Sequence, residues 1–274
     1  MKKFELTSEF TLSIFGVKLF QIKALVSFAN VNAGELGGFI ETEDNLSQEG
    51  NAWVSGNAEV YGDARVYGDA RVYGNARVSG DAEVYGDARV YGNARVSGDA
   101  EVYGDARVSG NARVYGNARV SGDAEVYGDA EVYGNAWVSG NARVSGNAWV
   151  SGNARVYGDA EVYGNARVSG NARVYGDARV YGNAEVYGDA EVKKVTHLFQ
   201  LGMIGSRSDF TTFFRAKSNQ IHVVCGCFLG SIGDFEKAVE KTHAGTKHER
   251  TYKLAIQLAK EQIELEAEVE EAEI

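Results

Sequence analysis

The chain has 274 residues, no proline, two cysteines and a formal net charge of −10 at pH 7. That balance disfavours nonspecific nucleic-acid binding, which needs a basic footprint, and leaves protein partners open. No apolar core of signal-peptide length follows Met1-Lys-Lys-Phe4-Glu-Leu6 and no stretch reads as a membrane span, while two closely spaced cysteines suit a reducing compartment, so a cytoplasmic location is expected.

Residues 1–33 alternate apolar and polar in places, as at Phe10, Leu12 and Ile14 and again at Val17 and Leu19, and the run from Lys18 to Leu25 reads as a strand. They are expected to form a small β cap over the open end of a solenoid, because an exposed coil edge invites pairing with another chain. Residues 34–50 read as an imperfect first coil. Ile40 and Leu46 take inward places six apart, and Val54 comes after a two-residue expansion.

From Asn51 to Lys194 the sequence is a six-residue unit, [N/D]-A-[R/E/W]-V-[Y/S]-G, repeated 24 times without insertion or deletion. Side chains alternate faces along a strand, so Val72 points away from Arg71 and Tyr73. Gly74 and Asn75 supply a corner, and Ala76 is small enough to sit inside the bend. A glycine in every sixth place and β-branched valine in every unit oppose a helix. The short fixed period predicts a solenoid of strands and turns with Val and Ala inside.

The pattern Val-(Tyr/Ser)-Gly-(Asn/Asp)-Ala-X resembles the hexapeptide repeat of the left-handed parallel β-helix family. The resemblance implies a left-handed triangular coil of three strands and 18 residues, hence about eight regular coils over 51–194 after the irregular first one, in a domain spanning 34–194. The run Leu36-Gly-Gly-Phe-Ile-Glu41, with Asn45-Leu-Ser-Gln-Glu-Gly-Asn-Ala-Trp-Val54, further resembles the leading segment of hexapeptide-repeat proteins encoded by bacteriophages and prophages. For a protein of that type the expected compartment is the bacterial host cytoplasm.

Folded modulo 18, one corner becomes an Asn ladder, Asn57, Asn75, Asn93, Asn111, Asp129, Asn147, Asn165 and Asn183, whose amides can bond from coil to coil. A second corner carries Asn51, Asp69, Asp87, Asp105, Asp123, Asn141, Asp159 and Asp177. Carboxylates at coil spacing repel. The acidic row reads either as a cation site or anionic interaction strip, or as charge neutralised by Arg71, Arg89 and Arg107 two places on; neutralisation is the expected outcome. Tyr67, Tyr85 and Tyr103 together with those arginines form a possible aromatic and basic interface, since Tyr and Arg are enriched in contact hot spots. Trp53, Trp137 and Trp149 fall on three different faces, which argues against a single aromatic platform.

After Val192 the period vanishes, and residues 195–274 are expected to form a separate α+β module. Strands are predicted over 197–205, 210–215 and 221–228, a first helix capped by Asp234, a break at Ala244-Gly245, a second helix from about His248 to Ile263, and an acidic tail that extends it or frays. This βββαα unit resembles the C-terminal module of the same phage-type proteins.

Family relatives include acyl-CoA-dependent acyltransferases and zinc carbonic anhydrases, both with histidines on the coils beside an inserted loop. Here the four histidines are His197, His222, His243 and His248, so the coils hold none, and nothing interrupts 51–194. Cys225, Cys227, His243 and His248 could be collected as a zinc set, but Cys-x-Cys is tighter than usual, and the alternation Ile221, Val223, Cys225, Cys227 puts both thiols on a core-facing strand edge. The expectation is therefore a non-enzymatic scaffold or binding protein without a cofactor or metal, acting through its faces and C-terminal module, with protein partners that include a bacterial host protein, and self-associating as a dimer or trimer. A phage-encoded inhibitor or decoy of a bacterial defence protein is the alternative, and an acyltransferase a second one.

Overall fold

The computed structural model describes residues 1–266. Each hexad forms one two-residue strand, from β4 (Trp53–Val54) to β27 (Glu191–Val192). Strands three units apart pair in parallel, in the register Arg71↔Arg89 and Val72↔Val90 that an 18-residue coil requires. The result is three parallel sheets wound as a solenoid of about nine turns, counting the irregular first one. All of the hexad Val and Ala side chains are buried, and the backbone bonds run coil to coil, as in Arg89 N–H to Ala106 O at 2.9 Å and Tyr91 N–H to Val108 O at 2.9 Å.

The first coil is held in a looser register. In strand β3 (Leu36–Ile40), Ile40 pairs with Val60, and Leu46 bridges to Val66, both twenty residues apart. Those two extra residues absorb the expansion before the 18-residue period begins. Asn45, fully buried, closes the gap by donating from its amide to Gly62 O and Ala64 O, each at 2.9 Å.

The N-terminal segment is a hairpin of β1 (Phe4–Leu12) and β2 (Lys18–Ala24), antiparallel to each other and continued antiparallel onto β3. One solenoid sheet thus grows to 11 strands while the other two keep 8. Phe4, Ile22 and Ala24 bury against the first coils. The buried Lys3 ammonium donates to Ala52 O at 3.0 Å, and burial, partly opposed by Asp69, lowers its pKa to about 8. The outer edge of β1 is broken by a bulge between Leu6 and Phe10, a feature that discourages pairing with another chain.

The C-terminal module has four strands, not three: β28 (Leu198–Ile204), β29 (Asp209–Arg215), β30 (Ile221–Cys225) and β31 (Phe228–Ser231), all antiparallel. The expected third strand over 221–228 is split by a turn at Gly226-Cys227, with Gly226 at φ +59°. Helix α1 (Ile232–His243) is capped by Ser231, whose Oγ accepts from Asp234 N–H; Asp234 lies in the first turn and is not the cap. Helix α2 (Lys247–Gln262) comes after a break at Ala244-Gly245. It ends before the acidic residues, because Ile263 is extended and 264–266 are not helical; the rest of the expected tail lies outside the described residues.

One face of this sheet packs on the two helices through Phe213, Val223, Phe235, Tyr252 and Ile256. On the other face Phe214 and Val224 join the solenoid core. Thr212 Oγ1 accepts Glu185 N–H at 3.1 Å, and Ala216 bridges to Ala190. The sheet is therefore the lid of the last coil.

Candidate functional site

Outside the Val/Ala core the prism is built from side-chain columns, each repeating from coil to coil. Tyr67, Tyr85 and Tyr103 stack with ring centroids 4.8 and 5.0 Å apart, rings parallel within 3°. Each of the first two donates its hydroxyl to a glutamate on the next coil, Tyr67 to Glu83 at 2.9 Å and Tyr85 to Glu101 at 3.2 Å. Burial first, then the neighbouring carboxylate, pushes Tyr85, Tyr115 and Tyr175 up to about 12. These tyrosines are fixed, neutral and half-buried.

The expected Tyr and Arg surface is not one face. Tyr67 follows β6 (Arg65–Val66), whereas Arg71 lies on β7 (Arg71–Val72), and these strands belong to different sheets. Gly68-Asp69 turns the chain between them, so the acidic row forms the ridge that separates the Tyr column from the Arg column. Trp53, Trp137 and Trp149 likewise lie in three sheets. Trp53 is buried against Phe28, while Arg167 covers Trp149 at 4.8 Å from the ring centroid.

Neutralisation of the acidic ridge by direct pairing does not occur. Among the described residues, Asp69, Asp87, Asp105, Asp123, Asp159 and Asp177 make no ion pair, and neither do Arg71 and Arg89. Arg107 pairs instead with Glu125 at 3.2 Å. Arg107 has that glutamate next to it in its own sheet, whereas Arg71 is flanked by Trp53 and Arg89, and Arg89 by Arg71 and Arg107, so these two meet no glutamate and still do not reach the corner carboxylates. Asn51 and Asn141 do donate to the acidic ridge, to Asp69 at 2.7 Å and Asp159 at 2.9 Å.

The four zinc candidates separate as well. Cys225 ends β30, its sulfur accepting from Thr211 Oγ1 at 3.3 Å and lying 3.6 Å from Tyr252 Oη. Cys227 is exposed in the next turn, not on the buried strand face that alternation implied. His243 and His248 face each other with ring centroids 5.8 Å apart across the α1–α2 break. Cys225, Cys227, His243 and Tyr252 do line one cavity of about 290 Å³, but among the described residues no three His, Cys, Asp or Glu are placed to hold a metal. His197 is buried at the seam, its Nδ1 accepting from Lys193 N–H at 3.2 Å; burial and then Arg215 lower its pKa.

One cationic cluster is invisible in the sequence. Arg155, Arg173 and Lys217 line a second cavity of about 290 Å³ where the C-terminal sheet meets the last coils. The two arginines are legible as one column, 18 residues apart. Lys217 is not, because its place depends on how the lid folds back.

A family model described as the YdcK beta solenoid repeat matches this chain at residues 70–86, 82–98, 88–104, 112–128, 136–152, 160–176 and 172–188. No curated protein matches it significantly. All seven matches fall inside the regular coils and stop short of the N-terminal hairpin and the C-terminal lid. Repeat match and coil register agree, and the chain is a repeat β-solenoid protein.

Proposed function

We propose that this protein is a non-enzymatic binding scaffold of the phage-encoded type, acting in the bacterial cytoplasm, with the prism as a stiff spacer and the C-terminal module as its docking end. The observation that carries this reading is the uninterrupted coil. From 51 to 194 every inward place is filled by Val or Ala, no inserted loop interrupts the coils and no histidine lies on them, which leaves the prism without the loop-and-histidine arrangement a convergent base would need. The C-terminal module adds exposed apolar side chains on one helix, Leu254 and Leu258, flanked by charged residues. Self-association belongs to the same reading.

The test is affinity capture with the intact protein beside a Leu254→Lys, Leu258→Lys variant. A bacterial protein retained by the first and lost by the second supports docking through the module, at the leucines directly if the variant and the intact protein have the same mass in solution and through the dimer if the variant alone is a single chain; equal retention moves the contact to the prism faces. Calorimetry with acetyl-CoA checks the non-enzymatic part, since a saturable heat would overturn it.

A second reading, a decoy for a bacterial defence protein, is supported by the unpaired acidic ridge. Asp69, Asp87, Asp105 and Asp123 stand at successive coil spacings without an ion pair among the described residues, a regular acidic strip that a basic partner could read. Capture that vanishes on replacing these four by Asn, with the module variant unaffected, selects this reading over the first.

A further inference from the structure

The lid does more than cover the last coil. Its turn between β29 and β30 carries Lys217, whose backbone N–H donates to Asp189 O at 2.9 Å beside the Ala190–Ala216 bridge. That anchoring brings a lysine to the column of Arg155 and Arg173, which pair in register on adjacent strands. All three cations line one cavity of about 290 Å³, with Asn153, Asp189 and Glu191.

Column chemistry says what is missing there. A glutamate follows an arginine at six steps of the solenoid, and four of these form an ion pair: Arg107–Glu125, Arg113–Glu131, Arg143–Glu161 and Arg167–Glu185. Arg65–Glu83 and Arg173–Glu191 do not. In both, the glutamate accepts a tyrosine hydroxyl, for Glu191 that of Tyr175 at 2.9 Å, with its arginine left out, whereas Glu131 holds both Tyr115 and Arg113. Asp189 is likewise engaged, accepting from Asn171 at 3.3 Å. Among the described residues, Arg155, Arg173 and Lys217 have neither an ion pair nor a side-chain hydrogen bond to a protein oxygen. Three cations against two carboxylates leave a surplus of one positive charge facing a cleft.

We infer that this seam cavity binds a phosphate-sized oxyanion, held by the Arg173 and Lys217 side chains with Arg155 as the outer wall. Guanidinium groups suit such an anion because their parallel N–H donors match two of its oxygens, and a lysine adds a point charge. The inference is independent of the protein-docking reading, because it concerns a small ligand at the solenoid–lid seam and not the face of α2.

Isothermal titration of the whole protein with inorganic phosphate tests it. Saturable binding of one phosphate per chain is expected, weakened about tenfold by Arg173→Gln and by Lys217→Gln, each losing a charge-assisted contact, and unchanged by Arg89→Gln, an unpaired arginine away from the seam. Acetate should compete at least tenfold more weakly, having two oxygens where phosphate has four and only a single charge. The idea fails if the wild type gives no saturable heat, if Arg89→Gln weakens binding as much as Arg173→Gln, or if acetate competes equally. It also fails if phosphate binds only after removal of residues 267–274, since the chain's own glutamates would then be the occupants. Unchanged melting of the three variants keeps a folding defect from imitating loss of the site.

Discussion

Gly104 sits at φ +69°, and a Cβ added there would lie 3.0 Å from Gly122 N and 3.4 Å from its Cα on the next coil. Two costs coincide, a left-handed backbone that a side chain resists and a backbone neighbour that cannot step aside. Gly104→Ala is therefore expected to destabilise by about 1–2 kcal/mol, read from the denaturant midpoint, whereas Arg95→Gln on the same coil should stay within about 0.5 kcal/mol. Tyrosine gives the residue scale a pH signature. The folded pKa values of Tyr85, Tyr115 and Tyr175 are raised to about 12 from 10.0. Between those values the unfolded chain has released protons that the folded chain keeps, so stability is complete below pH 10.0 and falls as pH rises through about 12. Melting followed across that window should show a steep loss, and the phenolate absorbance of folded protein should rise later than that of free tyrosine. Coincident titration of the two would remove the proposed Tyr–Glu coupling.

Along each corner the ladder has a direction. Asn75 donates to Asn93 at 3.2 Å, Asn93 to Asn111 at 3.1 Å and Asn111 to Asp129 at 2.9 Å, always toward the residue 18 places on. Asp can end such a run but cannot continue it, which is why the Asp69–Asp123 stretch has no side-chain bonds between its members. Asp87→Asn should then add a bond to Asp105 and relieve repulsion on both sides, stabilising by about 0.5–1 kcal/mol, while Asn93→Asp breaks one bond and costs a similar amount. Shifts of the same sign in the two variants would refute the polarity. The repeat makes the columns legible because an 18-residue coil needs only counting once three strands per turn are assumed. Partner choice within a column is not legible. Spacing alone sets Arg71 against Asp69, but strand register places Arg71 between Trp53 and Arg89, gives Arg107 to Glu125 in its own sheet, and leaves the corner carboxylates alone. Irregular elements hide for another reason. Nothing in Ile221-His-Val-Val-Cys-Gly-Cys-Phe228 besides one glycine announces a turn, so a hairpin reads as one strand.

The hairpin β1–β2 continues one of the three solenoid sheets beyond the first coil, and the separate sheet β28–β31 packs over the last coil, so each end is covered by antiparallel strands although only the first is extended by pairing. The lid shares core residues with the last coil, and cutting the chain at 195 would uncover that coil. For this reason partner and assembly experiments belong on the intact protein. Among the exposed apolar side chains at the lid end, which include Met203 and Leu229 on the sheet, two lie together on α2, Leu254 at 61% and Leu258 at 47% exposed. Leu254 and Leu258 are one helical turn apart, and Arg250 and Glu261 beyond them make no ion pair among the described residues. Two copies of α2 crossing antiparallel near Ile256 would set Leu254 against Leu258 of the other copy and Arg250 against its Glu261, burying the leucines and pairing the charges. Such a contact is self-complementary, as a two-fold dimer requires. Light scattering should give twice the 29.6 kDa of the chain, falling to one chain for Leu254→Lys, Leu258→Lys with the circular dichroism spectrum unchanged, because neither leucine belongs to the buried core. A wild type that stays at one chain at every working concentration removes self-association, and a variant that stays dimeric moves the seam from α2 to the prism faces.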